Sequence, residues 1–159
     1  MTQQHPENAN GQSEERYQAL EQETYLNLVR TSEVLTAQLD TLLKEHGLTL
    51  PLYNALRVVA GGPDEGLPTL TVAQRMLSRD PDMTRLADRL EQLNAVVRSR
   101  CEHDRRVIRL KLTEGGAALL ARLRVPLDTL YRAMLGHMSP EALAQFNVLL
   151  YEARRPHGD

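Results

Sequence analysis

The chain has 159 residues and a mass of 18.0 kDa, enough for one domain with a real core or for a small domain plus an oligomerisation element. Its formal net charge of -2 excludes a globally basic nucleic-acid binder, and no apolar run approaches the roughly 18 residues of a membrane span. The single cysteine, Cys101, excludes an intrachain disulfide framework, and with no signal-peptide core at the start the sequence reads as cytoplasmic.

Residues 1–13 carry too little apolar surface to order themselves and read as a flexible tail. Residues 14–46 contain no proline or glycine and predict one long helix, with Leu28, Leu35 and Leu42 at heptad spacing, Leu39 between them, and Gly47 as its end. Thr49 is placed to cap a short helix to Ala60, apolar at Leu52, Leu56 and Val59, which Gly61, Gly62 and Pro63 close. A loop to Pro68 precedes a second short helix, Thr69 to Leu77, with Val72, Ala73 and Met76 turned inward.

The strongest start signal follows: Asp80 as N-cap, Pro81 at the first helical position and Asp82 near the positive end of the helix dipole. In this third helix Met83, Leu86, Ala87, Leu90 and Leu93 form an apolar stripe, with Thr84, Arg85, Asp88, Arg89 and Gln92 opposite and Asn94 as a left-handed exit. Residues 98–113 then read as a basic hairpin. Its return strand alternates, Ile108, Leu110 and Leu112 on one face and Arg109 and Lys111 on the other, so its basic residues should face outward. The polar turn, about 101–105, should project into solvent or onto a polyanion. Thr113 is placed to cap a helix from Glu114 to about Gly136, with Pro126 expected to kink it, and Ser139-Pro140-Glu141 opens a last helix to about Arg154, apolar at Leu143, Phe146, Leu149 and Leu150.

Charge is uneven along this order. Residues 75–111 hold 10 Lys+Arg against 6 Asp+Glu, a basic stretch between acidic helices. Three short helices and a basic ribbon predict a mainly α fold: a winged helix-turn-helix lobe, residues 47–113, between flanking long helices at 14–46 and 114–159. The third helix would enter the major groove, where Arg85 and Arg89 can contact guanine or phosphate and Thr84 can reach phosphate or a thymine methyl. Asp88 would repel phosphate, and so is expected to orient an arginine or to accept from cytosine.

The stretch from Leu48 to Gly116 resembles the MarR family of bacterial winged-helix regulators. The resemblance rests on the leucine-bearing helix TRLADRLEQLN, the arginine-rich strand VVRSR with Arg98, the wing Asp104-Arg105-Arg106, and Leu112-Thr113-Glu114-Gly115-Gly116. Two positions depart from the usual family pattern, Leu93-Asn94 and Val72-Ala73, neither of which threatens the fold. The resemblance implies a homodimer joined through the first and last helices, with lobes about 34–36 Å apart on the double-stranded DNA of a pseudo-palindromic operator. It implies that Arg106 enters the minor groove and Arg105 contacts phosphate. It also implies a cleft where Tyr25, Arg30, Tyr53 and Arg57 would take a small aromatic acid, an arginine pairing with its carboxylate.

The implied activity is that of a ligand-responsive repressor. Two alternatives keep the fold: a helical protein-interaction module without DNA binding, and an oxidation sensor through Cys101, whose thiol Arg100 and His103 could acidify. His46, His103 and His137 have no helical pairing and no carboxylate or cysteine cluster, so no metal is expected. Asp40 and Glu45 lack a nucleophile or base partner and no phosphate loop appears, so neither catalysis nor a cofactor is expected.

Overall fold

Helix α1 (Asn8–Glu45) ends where the backbone must turn left-handed, and Gly47 supplies that turn at φ 73°. In the computed structural model, which describes residues 8–77, 82–100 and 106–157 and side chains from residue 18 onward, Leu48 donates back to the Leu43 carbonyl and Gly47 to that of Lys44. This pair of bonds is a Schellman cap, and its accompanying apolar contact is Leu43 with Leu48, both buried. The helix starts ahead of the expected Glu14 because each added residue gains a backbone bond once a helix exists.

The contacts group the chain into two units, residues 1–38 and 39–159. The first holds most of α1, with Leu20, Tyr25, Leu26, Leu28 and Val34 exposed along it. The second holds the core. Its central helix, α2 (Leu50–Ala60), starts at Thr49, whose hydroxyl accepts from the Leu52 N–H, and buries not only Leu52, Leu56 and Val59 but also Tyr53, Asn54 and Ala55. Around it lie α3 (Thr69–Arg75), α4 (Met83–Gln92) and α5 (Glu114–Leu135), contributing Val72, Ala87, Leu90, Leu119, Leu123 and Leu127. Leu43, outside the heptad read from the sequence, joins this core fully buried. Burying one such leucine contributes roughly 1.5–3 kcal/mol, so these residues carry most of the stability.

Strands β1 (Leu67–Pro68), β2 (Val96–Arg100) and β3 (Ile108–Leu112) form an antiparallel sheet in the order β1-β3-β2. In the hairpin register Val96 faces Leu112, Arg98 faces Leu110 and Arg100 faces Ile108. Strand β1 falls in the stretch that the sequence reads as loop; two residues ending in proline give no periodic signal, and only pairing of Leu67 with Leu110 reveals it. That pairing corrects the reading of β3. Arg109 does not point freely outward: it is half-buried and its Nη1 donates to the Gly66 carbonyl at 2.9 Å, whereas Ile108, expected inward, is 45% exposed near the tip.

A second correction concerns the start of α4. Asp82, not Asp80, is the N-cap, its Oδ1 accepting from the Arg85 N–H at 2.9 Å. Asp80 and Pro81 lie outside the described residues. Helix α3 stops at Arg75 instead of Leu77, because Met76 is already extended at ψ 148°. Helix α5 runs on through Pro126 and is capped by Gly136. The last helix, α6 (Pro140–Arg154), buries no residue, and Leu149 is 53% exposed. At its start the Ser139 hydroxyl accepts from the Ala142 N–H, and the Glu141 carboxyl is held below its ordinary pKa by bonds from its own N–H and from Ser139. No helix among the described residues is long and apolar enough to cross a membrane.

The Leu-Thr-x-x-Gly segment closes the lobe. Thr113 donates its hydroxyl to the Asn94 carbonyl, accepts from the Gly116 N–H at 3.0 Å, and donates its own N–H to the Ala95 carbonyl at 3.2 Å. Gly116 sits so close to that strand that a Cβ there would lie 2.1 Å from the Ala95 oxygen. Gly116→Ala is therefore expected to cost about 1–3 kcal/mol, as overpacking against backbone does. Urea unfolding checks this, and a midpoint equal to wild type would refute the close approach.

Candidate nucleic-acid interface

The stripe of α4 predicted to be inward is inward: Ala87 and Leu90 are buried, Met83, Leu86 and Leu93 partly so. Packing that stripe turns Thr84, Arg85, Asp88, Arg89 and Gln92 to the surface, all exposed. Arg89 donates to the Gln92 side chain at 3.1 Å, while neither Arg85 nor Arg89 is ion-paired among the described residues. Beside this face the first turn of α2 contributes Thr49, Pro51 and Leu52, and together with Asp82, Arg85, Leu86, Asp88, Arg89 and Gln92 they line an open groove of about 610 Å³. The α2 side of the groove escaped the sequence reading, since no local pattern reports a contact between helices more than 30 residues apart.

Arg98 is placed differently from the other candidates. Its Nη1 meets Asp88 Oδ1 at 2.5 Å and lies 3.6 Å from Glu91 Oε2, its Nη2 donates to the Thr84 carbonyl at 3.1 Å, and its backbone N–H donates to Glu91 Oε1 at 3.2 Å. A wing arginine is thus committed to the helix. The partner of Asp88 is Arg98, on the adjoining strand. Exposed ion pairs are worth only about 0–1 kcal/mol, so this clasp fixes the angle between α4 and β2 more than it stabilises the fold. At the rim of the wing Arg100, Arg106 and Lys111 are exposed. Arg105, Asp104 and Cys101 lie outside the described residues.

The four residues expected to hold an aromatic acid divide between the two units. Tyr25, exposed, and Arg30, lining a shallow groove with Gln22, Leu26 and Asn27, belong to α1 in the first unit. Tyr53 and Arg57 are one turn apart on α2, with the guanidinium 5.8 Å from the ring centroid. Burial raises the Tyr53 hydroxyl above its ordinary pKa, the nearby Tyr131 adds to this with charge and a hydrogen bond, and Arg57 pulls it back in part. Tyr131, on α5, is the member of this cluster that the sequence did not disclose. Among the described residues no three His, Cys, Asp or Glu side chains gather as metal ligands would.

No family model matches the chain. A MarR transcription factor from Planctomyces limnophilus, known from its crystal structure, is 35% identical over 81% of this chain and 93% of its own, with a TM-score of 0.66. The homoprotocatechuate degradative operon repressor of Escherichia coli is 26% identical over 125 residues, 79% of this chain and 83% of its own. A MarR family regulator from Streptomyces coelicolor, solved in complex with DNA, shares the fold at 22% identity and a TM-score of 0.79 over 89% of each chain.

The clasp makes Arg98→Gln a diagnostic substitution. It is expected to lower affinity for all DNA sequences alike while leaving the slope of log affinity against log salt at its wild-type value, because the guanidinium positions the wing and neutralises no phosphate. Fluorescence anisotropy across a salt series checks this. A slope reduced by about one would instead show a direct phosphate contact.

Proposed function

The chain belongs to the MarR family of transcription regulators, and from that premise we propose that it is a homodimeric, sequence-specific repressor whose hold on DNA a small ligand loosens. The observation that carries the reading is the outward face of α4, where Arg85 and Arg89 stand exposed without a carboxylate partner among the described residues, beside a wing that Arg98 braces against the same helix. In this reading Arg85 and Arg89 read base edges or phosphates in the major groove, Thr84 contacts phosphate or a thymine methyl, and Arg105 and Arg106 follow the adjacent backbone and minor groove. Arg98 serves by holding the wing in register. The relative solved with DNA supports the polyanion as partner, and the name of the Escherichia coli relative supports repression.

Residues 47–113 form the DNA-binding lobe of this reading, with dimerisation assigned to 14–46 and 114–159. The dimer is supported by apolar side chains left without cover: Leu28, Val148 and Leu149 are exposed, and α6 buries nothing. The effector is proposed to be an aromatic acid taken by Tyr53 and Arg57, with Tyr131 as their neighbour. A relative from Rhodococcus jostii was solved with p-coumaroyl-CoA, which supports an aromatic acyl ligand in this fold.

Two measurements test the proposal. Binding-site selection is expected to return a pseudo-palindromic consensus for wild type and a relaxed or altered one for Arg85→Ala, whereas Arg106→Ala should weaken all sites and flatten the salt dependence. An unchanged consensus for Arg85→Ala would refute the groove assignment of α4. Sedimentation at micromolar concentration is expected to give twice the 18.0 kDa chain mass, and a monodisperse monomer would refute the dimer.

A further inference from the structure

Strand β3 is the middle strand of the sheet, and its two neighbours hold it unequally. Every residue of β2 is paired with it, whereas β1 offers Leu67 and Pro68, and a proline has no N–H to give. Side chains make up the difference on that edge. The Arg109 Nη1 donates to the Gly66 carbonyl at 2.9 Å, and the Thr69 hydroxyl donates to the Ile108 carbonyl at 2.9 Å. Gly66 is fixed to receive the first of these bonds. Its N–H closes a turn onto the Pro63 carbonyl, its φ is 87°, and a Cβ there would lie 2.5 Å from the Leu110 oxygen. Arg109 is half-buried and has no carboxylate partner among the described residues, so its guanidinium is committed to that carbonyl.

The ladder between β2 and β3 ends at Arg100 and Ile108, and Arg106 lies exposed beyond that end. A two-stranded ribbon is marginally stable by itself, so the bearing of its tip depends on what holds its outer edges. We propose that Arg109 is a positioning residue for DNA binding that acts through Arg106, tying β3 to the Gly66 turn and so setting where the wing beyond Ile108 points. Resting on the DNA-binding reading above, this role sets Arg109 apart from the cations expected to meet phosphate. An arginine on an outward strand face ordinarily neutralises phosphate, but here the guanidinium is turned toward the backbone of its own lobe. Arg98 and Arg109 thereby brace the two strands of the ribbon to different supports, β2 to α4 and β3 to the turn before β1.

Two readouts on the full chain test this role. The first needs no DNA. Arg109→Met keeps the aliphatic stem and removes the donors, and is expected to speed amide hydrogen exchange in residues 66–69 and 106–112 at least about threefold while α5 exchanges as in wild type. Arg109→Lys, which can still donate to Gly66, should stay near wild type. Unchanged exchange in Arg109→Met, or a rise spread equally through α5, would overturn the brace. The second readout is affinity for a duplex carrying the consensus selected by wild type. Arg109→Met is expected to weaken binding about tenfold in the wild-type background and less than about twofold in Arg106→Ala, with Arg109→Lys restoring most of the loss. Equal losses in both backgrounds, or a salt slope shallower by about one in the double variant than in Arg106→Ala, would show that Arg109 touches phosphate itself and overturn the positioning role. Failure of wild type to bind any duplex would refute the DNA-binding reading and this role with it, while the exchange result would still report on the brace.

Discussion

Two backbone carbonyls, those of Asn94 and Ala95, are where α4, β2 and α5 are joined. Asn94 takes a left-handed conformation at φ 53°, which ends α4 and lets Ala95 donate back to the Leu90 carbonyl while β2 departs. Thr113 then binds both carbonyls and caps α5 with the same hydroxyl, while Gly116 lets the start of α5 lie against Ala95 without a side chain between them. The end of α4, the start of β2 and the start of α5 thus meet at one point. A shift in any one of them is transmitted to the others through bonds of about 3 Å.

Acidic residues in a basic lobe acquire a purpose from this geometry. Asp88 and Glu91 sit on the helix that would face DNA, where their charge opposes phosphate, and both turn toward Arg98 of β2. The attraction is partly screened by solvent and adds little stability beside the buried leucines. What it adds is orientation: α4 and β2 are held against each other, leaving Arg85, Arg89, Arg100 and Lys111 on the exposed surface. Asp82 works in the same economy, capping α4 at the end where a negative charge favours the helix dipole.

Helix α2 also mixes apolar and polar groups. Its apolar residues anchor the lobe, while Tyr53, Asn54 and Arg57 carry polar atoms into a mostly buried helix. Polar groups in such surroundings cost free energy unless something satisfies them, and Tyr131 does so for Tyr53.

Much of this architecture was legible one element at a time. The period of Met83, Leu86, Ala87, Leu90 and Leu93 determined which face of α4 is buried and hence which arginines are exposed, and Gly47, Thr49, Asn94, Thr113 and Ser139 marked helix ends because each is a residue whose local geometry the turn requires. Local signals failed where two candidates competed within one turn, as at Asp80 and Asp82, since either carboxylate suits a cap and only the backbone path selects one. They failed altogether for β1, for the bond from Arg109 to Gly66, for the pairing of Arg98 with Asp88, and for the meeting of Tyr53 with Tyr131. Each of these joins residues ten or more apart by directional bonds whose partners packing alone brings together. Composition and period determine which residues are buried; which polar group answers which is decided only when the helices and the sheet have closed on one another.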